Sequence, residues 1–246
     1  MILTMNKLLT MQKMSASQKT NINVSLPIIS ALGIETAIIP TAIFNDTNHD
    51  FTDSIQPIIR HHLSQGLTFN TIYLGEVDTV DQLDIANVLF DSYKDSLKIL
   101  NPVLIEDSLF IDKMRDLCKK VDVITPTLNE SYKLSNSNKL DIAKELASLG
   151  NNTVIIMDND VIHTYISKED KYMSYKLEFS IDKYINARDI LVSTLAALLT
   201  KGYSLEASIN ISTLFLNEAI KVTPTSNTIN YELALPKLLS SLSNYY

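Results

Sequence analysis

Asn186, Ala187, Arg188 and Asp189 lead into an apolar run stopped by Gly202, and their types and spacing could do chemistry. The run to about Lys201 is predicted helical. A helix entrance points unpaired N–H groups outward and carries partial positive charge, so it can receive a phosphate. Glycine there would bare the backbone, whereas Asn186 and Arg188 put side chains in the way. The Asp189 carboxylate stands where it could take a proton from an attacking hydroxyl. An acid in the first turn also simply favours a buried helix. Taken alone, the segment favours that plainer role.

Other carboxylates follow short apolar runs, among them Asp46, Asp50, Glu76, Asp78, Glu130 and Asp158. Ligands of an open parallel sheet bind beyond the carboxyl ends of its strands. Acids placed there could hold Mg²⁺ through water, or serve as ordinary polar loop residues. His49, His61, His62 and His163 show no metal-ligand spacing. Cys118 reads as a small buried hydrophobe. As the chain's single cysteine it forms no internal disulfide and suits a reducing, cytoplasmic compartment.

The elements that must position these groups follow from periodicity and punctuation. Helices are predicted over 23–32, 54–65, 80–94, 108–119, 140–149, 189–201 and 205–221, with a short one near the end. Gly33, Gly66, Gly150 and Gly202 stop four of them. Strands are predicted over 34–40, 71–74, 97–104, 121–125 and 154–157, with a hairpin-like pair over 161–166 and 174–179. This alternation argues a mainly parallel sheet with helices on both faces, in one domain spanning 1–246.

Composition sets limits. The 246 residues are 46% hydrophobic and 20% charged, as in globular proteins, and the net charge of −7 argues against a nucleic-acid surface. No apolar run reaches membrane-spanning length, and the start, Met1-Ile2-Leu3, does not read as a secretory signal. Five glycines are few for a nucleotide-binding α/β protein, which needs them where backbone meets phosphate.

The landmarks, taken in order, resemble the pyridoxal/pyridoxamine kinases of the ribokinase superfamily over nearly the full chain. Leu26-Pro27-Ile28-Ile29-Ser30-Ala31-Leu32-Gly33 matches the first helix and turn of that family, and Ile72-Tyr73-Leu74-Gly75 its Tyr-x-Gly turn. Asn101-Pro102-Val103 stands for Asp-Pro-Val, and Thr127-Leu128-Asn129-Glu130 for Asn-x-x-Glu. Asp189-Ile190-Leu191 and Leu198 to Leu205 match the last signature helix.

The resemblance implies a three-layer α/β/α sandwich that moves the γ-phosphoryl of ATP to the 5′-hydroxymethyl of pyridoxal, pyridoxine or pyridoxamine, or of hydroxymethylpyrimidine. It implies Asp189 as the base and Asn186-Ala187-Arg188 as the anion cradle. It places Lys13, Thr47 and Tyr73 at the small-molecule substrate. Thr127, Asp158 and Val222 fall at the nucleotide, and Glu130 at Mg²⁺ through water. A homodimer is expected by the same resemblance, with neither nucleic acid nor membrane as partner.

The departures lie where phosphate chemistry is most demanding. Gly-Thr-Gly reads Asn186-Ala187-Arg188, the Asn of Asn-x-x-Glu reads Thr127, and the first-strand acid or serine reads Lys13. A glycine-and-lysine turn reads Gln18-Lys19, and the Thr-Gly turn after 153–157 reads Asp158-Asn159-Asp160. Losing one donor to a developing anion costs about 3–4 kcal/mol. Arg188 could return some positive potential. The alternative is therefore a catalytically impaired kinase fold that binds a ligand or partner.

Overall fold

The computed structural model describes residues 6–17, 20–45, 47–135, 141–150, 152–223 and 229–242. Gln18, Lys19, Asp46, Leu140 and residues 224–228 lie outside the described residues. One nine-stranded sheet runs through the molecule in the order β3-β2-β1-β4-β5-β6-β7-β8-β9. The strands are β1 (Lys7–Ser15), β2 (Glu35–Phe44), β3 (Asn48–Asp50), β4 (Thr71–Leu74), β5 (Leu97–Leu100), β6 (Val123–Ile124), β7 (Thr153–Asp158), β8 (Val161–Ile166) and β9 (Lys171–Lys176). From β2 to β7 all neighbours are parallel. β3 at one edge, and β8 and β9 at the other, are antiparallel.

Period-two alternation sorts side chains between the two faces. Leu8, Tyr73, Ile99, Ile155 and Met157 point to one apolar cluster. Leu9, Met11, Ile72, Leu74, Leu100, Val154 and Ile156 point to the other. The first face is covered by α1 (Ile22–Ala31), α7 (Ala187–Thr200), α8 (Leu205–Lys221) and α9 (Tyr231–Leu242). The second is covered by α2 (Thr52–Ser64), α3 (Val80–Ser92), α4 (Ser108–Cys118), α5 (Leu128–Ser135) and α6 (Ile142–Ala147). The result is a three-layer α/β/α sandwich.

α7 lies between α1 and α8, and its buried residues occur all round it. Such a helix carries no polar face, which explains its near-continuous apolar sequence. Its polar interior residues bond inward: Thr194 and Thr200 Oγ1 donate to carbonyls one turn back, and Ser193 Oγ donates to Ser25 Oγ at 2.9 Å. Gly202, at φ 89, ends it in the left-handed region where a side chain would be strained.

Strand bounds shift in places: the run predicted over 97–104 forms a strand only over Leu97–Leu100. The second hairpin strand is Lys171–Lys176 rather than 174–179, because an edge strand alternating half-buried and exposed residues leaves no apolar run to mark its ends. Lys7–Ser15 forms a central strand although it carries Thr10, Gln12 and Lys13. Gln12 Nε2 donates to Thr10 Oγ1 and Ser25 Oγ, each at 3.0 Å, so the buried amide nitrogen and the Thr10 hydroxyl are hydrogen-bonded inside the core.

Candidate active site

The carboxyl ends of the parallel strands bring together Lys13 from β1, Glu76 after β4, Asn101 after β5, and Arg188 and Asp189 from the first turn of α7. These residues line a cavity of about 300 Å³, closed further by Phe44, Val103 and Ile185. The strands end at nearly one level because their pairing is in register from Met11 with Leu74 to Leu74 with Leu100.

Asp189 is 6% exposed. Its Oδ2 accepts the backbone N–H of Asn21 at 2.8 Å. Desolvation pushes its carboxyl up to about 6, against the opposing pull of the Asn21 N–H and the Arg188 guanidinium. A carboxylate of that basicity, lining a cavity, is suited to accept a proton near neutral pH.

Across the cavity, Lys13 Nζ meets Asp78 Oδ1 at 2.7 Å and Glu76 Oε1 at 3.2 Å, and lies 5.3 Å from the centroid of the Phe44 ring. Burial opposes the ammonium, yet these two carboxylates outweigh it and hold Lys13 above its ordinary range. Asn21 Nδ2 donates to the other Glu76 oxygen at 2.9 Å. Asn21 holds φ 53 and ψ −124, a conformation that few L-residues adopt.

Arg188 does not point into open solvent. Its Nη1 donates to Glu130 Oε1 at 3.0 Å and its Nη2 lies 2.9 Å from Glu130 Oε2. Nε donates to Asn101 Oδ1, and Nη2 also to the carbonyls of Pro102 and Thr125. Glu130 Oε2 in turn accepts the Thr127 N–H at 2.7 Å, while Thr127 Oγ1 accepts the Glu130 N–H at 3.3 Å. This is a capping box at the start of α5. Both Glu130 oxygens are thus engaged by protein donors. They do not fit a water-mediated Mg²⁺ site in this arrangement, and no cluster of three metal-ligating residues occurs among the described residues.

The remaining sequence-predicted positions are more scattered. Asn186 is fully buried, with neither side-chain amide atom hydrogen-bonded. Ala187 is also buried, and its N–H donates to the Tyr184 carbonyl at 3.1 Å. Tyr73 is fully buried on the α7 side of the sheet, and burial pushes its phenol up. Thr47 is exposed on the turn between β2 and β3, bonded to Asn45. Asp158 lines a separate cavity with His163 and Thr164. Val222 caps the C-terminal end of α8 and packs against the apolar cluster on that face of the sheet.

Sequence reasoning did not single out Ser15, Thr20, Asn21, Phe44 or Ile185, which line the cavity. Asn21 carried one signal, since Asn tolerates positive φ better than most residues. Ser15 and Phe44 are the paired last residues of β1 and β2, and Thr20 and Ile185 come from connecting segments that carry no motif.

A family model described as phosphomethylpyrimidine kinase matches residues 29–233. The chain belongs to the phosphomethylpyrimidine kinase family. Among solved structures it is similar to pyridoxal kinase from Lactobacillus plantarum, with a TM-score of 0.87 and 19% identity, covering 99% of each chain. It is also similar to pyridoxal kinase from Bacillus subtilis, solved as an ADP complex, at TM-score 0.80 and 21% identity over 89% of this chain and 92% of that one. Staphylococcus aureus pyridoxal kinase in complex with AMP-PCP and pyridoxal gives TM-score 0.78 and 19% identity over 92% of each. At these identities the likeness is one of fold. No curated protein matches the chain.

Proposed function

We propose that this kinase-family chain transfers the γ-phosphoryl of ATP to the hydroxymethyl group of a B6 vitamer or of hydroxymethylpyrimidine. The observation that supports it is the buried Asp189 carboxyl, raised to about 6, lining a cavity sized for one small ring. ADP, AMP-PCP and pyridoxal in the complexes of the similar kinases name the substrate classes to try.

In this reading Phe44, Val103 and Ile185 offer apolar contacts to a ring, while Lys13, Glu76 and Asn21 orient its polar substituents. Asp189 accepts the proton of the hydroxymethyl group as the oxygen attacks. The Asn21 N–H holds the carboxylate in one orientation throughout. Phosphoryl transfer asks mainly for positioning and charge stabilisation, so the fixed Arg188 guanidinium provides positive potential beside the reacting carboxylate. No step is assigned to Mg²⁺ at Glu130.

A second reading, a ligand- or partner-binding module with little turnover, is favoured by Arg188 itself. By the resemblance, residues 186–188 replace glycines that would bare backbone to phosphate; Asn186 is fully buried, and most Arg188 donors are already engaged. A coupled assay of ADP release with pyridoxal, pyridoxine, pyridoxamine and hydroxymethylpyrimidine separates the two. Turnover that disappears in Asp189→Asn supports the kinase. Absence of ADP release with every acceptor, alongside measurable ring binding, sinks it in favour of the module.

A single domain spanning 1–246, cytoplasmic location and homodimerisation belong to the same proposal. The first is supported by one sheet uniting both halves of the chain. No helix among the described residues is long and apolar enough to cross a membrane. Sedimentation of the purified chain tests the dimer.

A further inference from the structure

We infer that the Arg188 guanidinium takes the place of the divalent cation at Glu130, so that phosphate-bearing ligands meet a tethered organic cation there and bind without metal. The inference rests on the reading that a nucleotide's phosphates approach the α7 entrance, and it concerns what receives them.

Geometry carries the argument. The ion pair is largely enclosed, with side-chain exposures of 19% for Arg188 and 13% for Glu130. A guanidinium has five N–H donors in a fixed fork. Here Nε bonds Asn101, one Nη1 hydrogen bonds Glu130, and the two on Nη2 bond the Pro102 and Thr125 carbonyls. Arg188 therefore ties the first turn of α7 to the exits of β5 and β6 and to α5. One Nη1 hydrogen makes no hydrogen bond to the protein, and Arg188 lines the cavity, so a ligand there meets a guanidinium.

Glu130 is equally committed. Its oxygens receive the guanidinium and the Thr127 N–H, the arrangement of a carboxylate whose counter-ion is built into the chain. A hydrated Mg²⁺ would have to displace an enclosed charged partner and leave the guanidinium facing two carbonyls with no anion. A cation fixed by the fold costs nothing to recruit. Its planar donors also suit phosphate oxygens as well as carboxylate ones.

The test is calorimetric titration of the full chain with ADP, in EDTA and again in Mg²⁺, so that no chemistry has to occur. The wild-type protein is expected to bind ADP with affinities differing by less than about tenfold between the two buffers, the scale of one charge-assisted hydrogen bond. Arg188→Met keeps the apolar stem and removes the cation. It is expected to lose about tenfold or more of its affinity in EDTA, to regain part of it with Mg²⁺, and to lose that recovery when Glu130→Gln is added. A larger Mg²⁺ dependence in the wild type overturns the inference, and that comparison needs no variant to fold. Failure of ADP to bind the wild type in either buffer also overturns it. Metal-dependent ADP binding with intact turnover would overturn this inference and leave the kinase reading standing. Metal-independent binding without turnover would do the reverse.

Discussion

The Asn21 backbone N–H donates to the Asp189 carboxylate at 2.8 Å, joining the start of α1 to the first turn of α7 across 168 positions of sequence. Desolvation is the largest cause acting on this acid, and it favours the neutral form. The Asn21 donor and the neighbouring Arg188 charge limit the rise to about 6. The carboxylate is thereby kept both ionised and basic.

The cost of that arrangement is measurable. A folded-state value of about 6 against an ordinary 3.8 means that the native state holds this proton more tightly than the unfolded chain. The resulting stability is fully present below about pH 4, declines as pH rises through about 6, and is absent above. The gap corresponds to about 3 kcal/mol. Asp189→Asn keeps an acceptor for Asn21 without the charge, so it should be more stable than wild type at pH 8 by up to about that amount. The advantage should shrink to nothing by about pH 4. Urea unfolding at the two pH values checks this, and an Asn variant no more stable at pH 8 refutes it. Turnover of the wild type should fall as pH drops below about 6, where the base becomes protonated.

Lys13 separates two carboxylates that would otherwise face one another. Lys13→Met should destabilise by about 1–2 kcal/mol, less than a fully buried pair would lose because Lys13 and its partners keep some solvent contact. Adding Glu76→Gln to Lys13→Met removes one of the two abandoned charges and should recover part of the loss. Independent, additive effects in this double-mutant cycle would show that the three groups do not act together.

Asn21 combines an unfavourable backbone conformation with two contacts to the site. Asn21→Gly relieves φ and keeps the N–H to Asp189, while losing the side-chain bond to Glu76. The two effects oppose, and the net change in stability should lie within about 1 kcal/mol. Asn21→Val keeps no side-chain bond and forces a β-branched residue to φ 53, which should cost about 2–3 kcal/mol. Equal stability of the two variants would rule out backbone strain here.

The layering was readable from sequence because core strands such as Thr71–Leu74 and Thr153–Asp158 are short apolar runs between helical stretches. Leu205–Lys221 matched its predicted range for the same reason: its apolar spacing is helical and Ser204 caps it. Asp189 stood out by type and position, and Glu130 through the family resemblance. The direction of Arg188 was not readable, because its partners Glu130 and Asn101 lie 58 and 87 positions away and nothing local specifies them. The same holds for Phe44 and Asn21, which reach the cavity through the pairing of β1 with β2 and an unusual backbone turn. Local pattern records which face a residue takes. It does not record which distant side chain it meets.

Gly75 closes the turn after β4 against Gln12 of β1, the residue that bonds Thr10 and Ser25 beneath the site. Its φ is not in the left-handed region, so the constraint is space: a Cβ there would fall 2.8 Å from Gln12 Cβ and against Gln12 Oε1. Gln12 is fully buried and held by two hydrogen bonds, so it cannot swing aside cheaply. Gly75→Ala should therefore destabilise by about 1–3 kcal/mol. It should also raise the KM for the ring substrate, because Glu76 follows directly and would move with the turn. Gln12→Ala combined with Gly75→Ala opens the space and should recover much of the packing loss. If the single Gly75→Ala variant is as stable as wild type, the close approach of β1 and this turn is not the reason for glycine at 75.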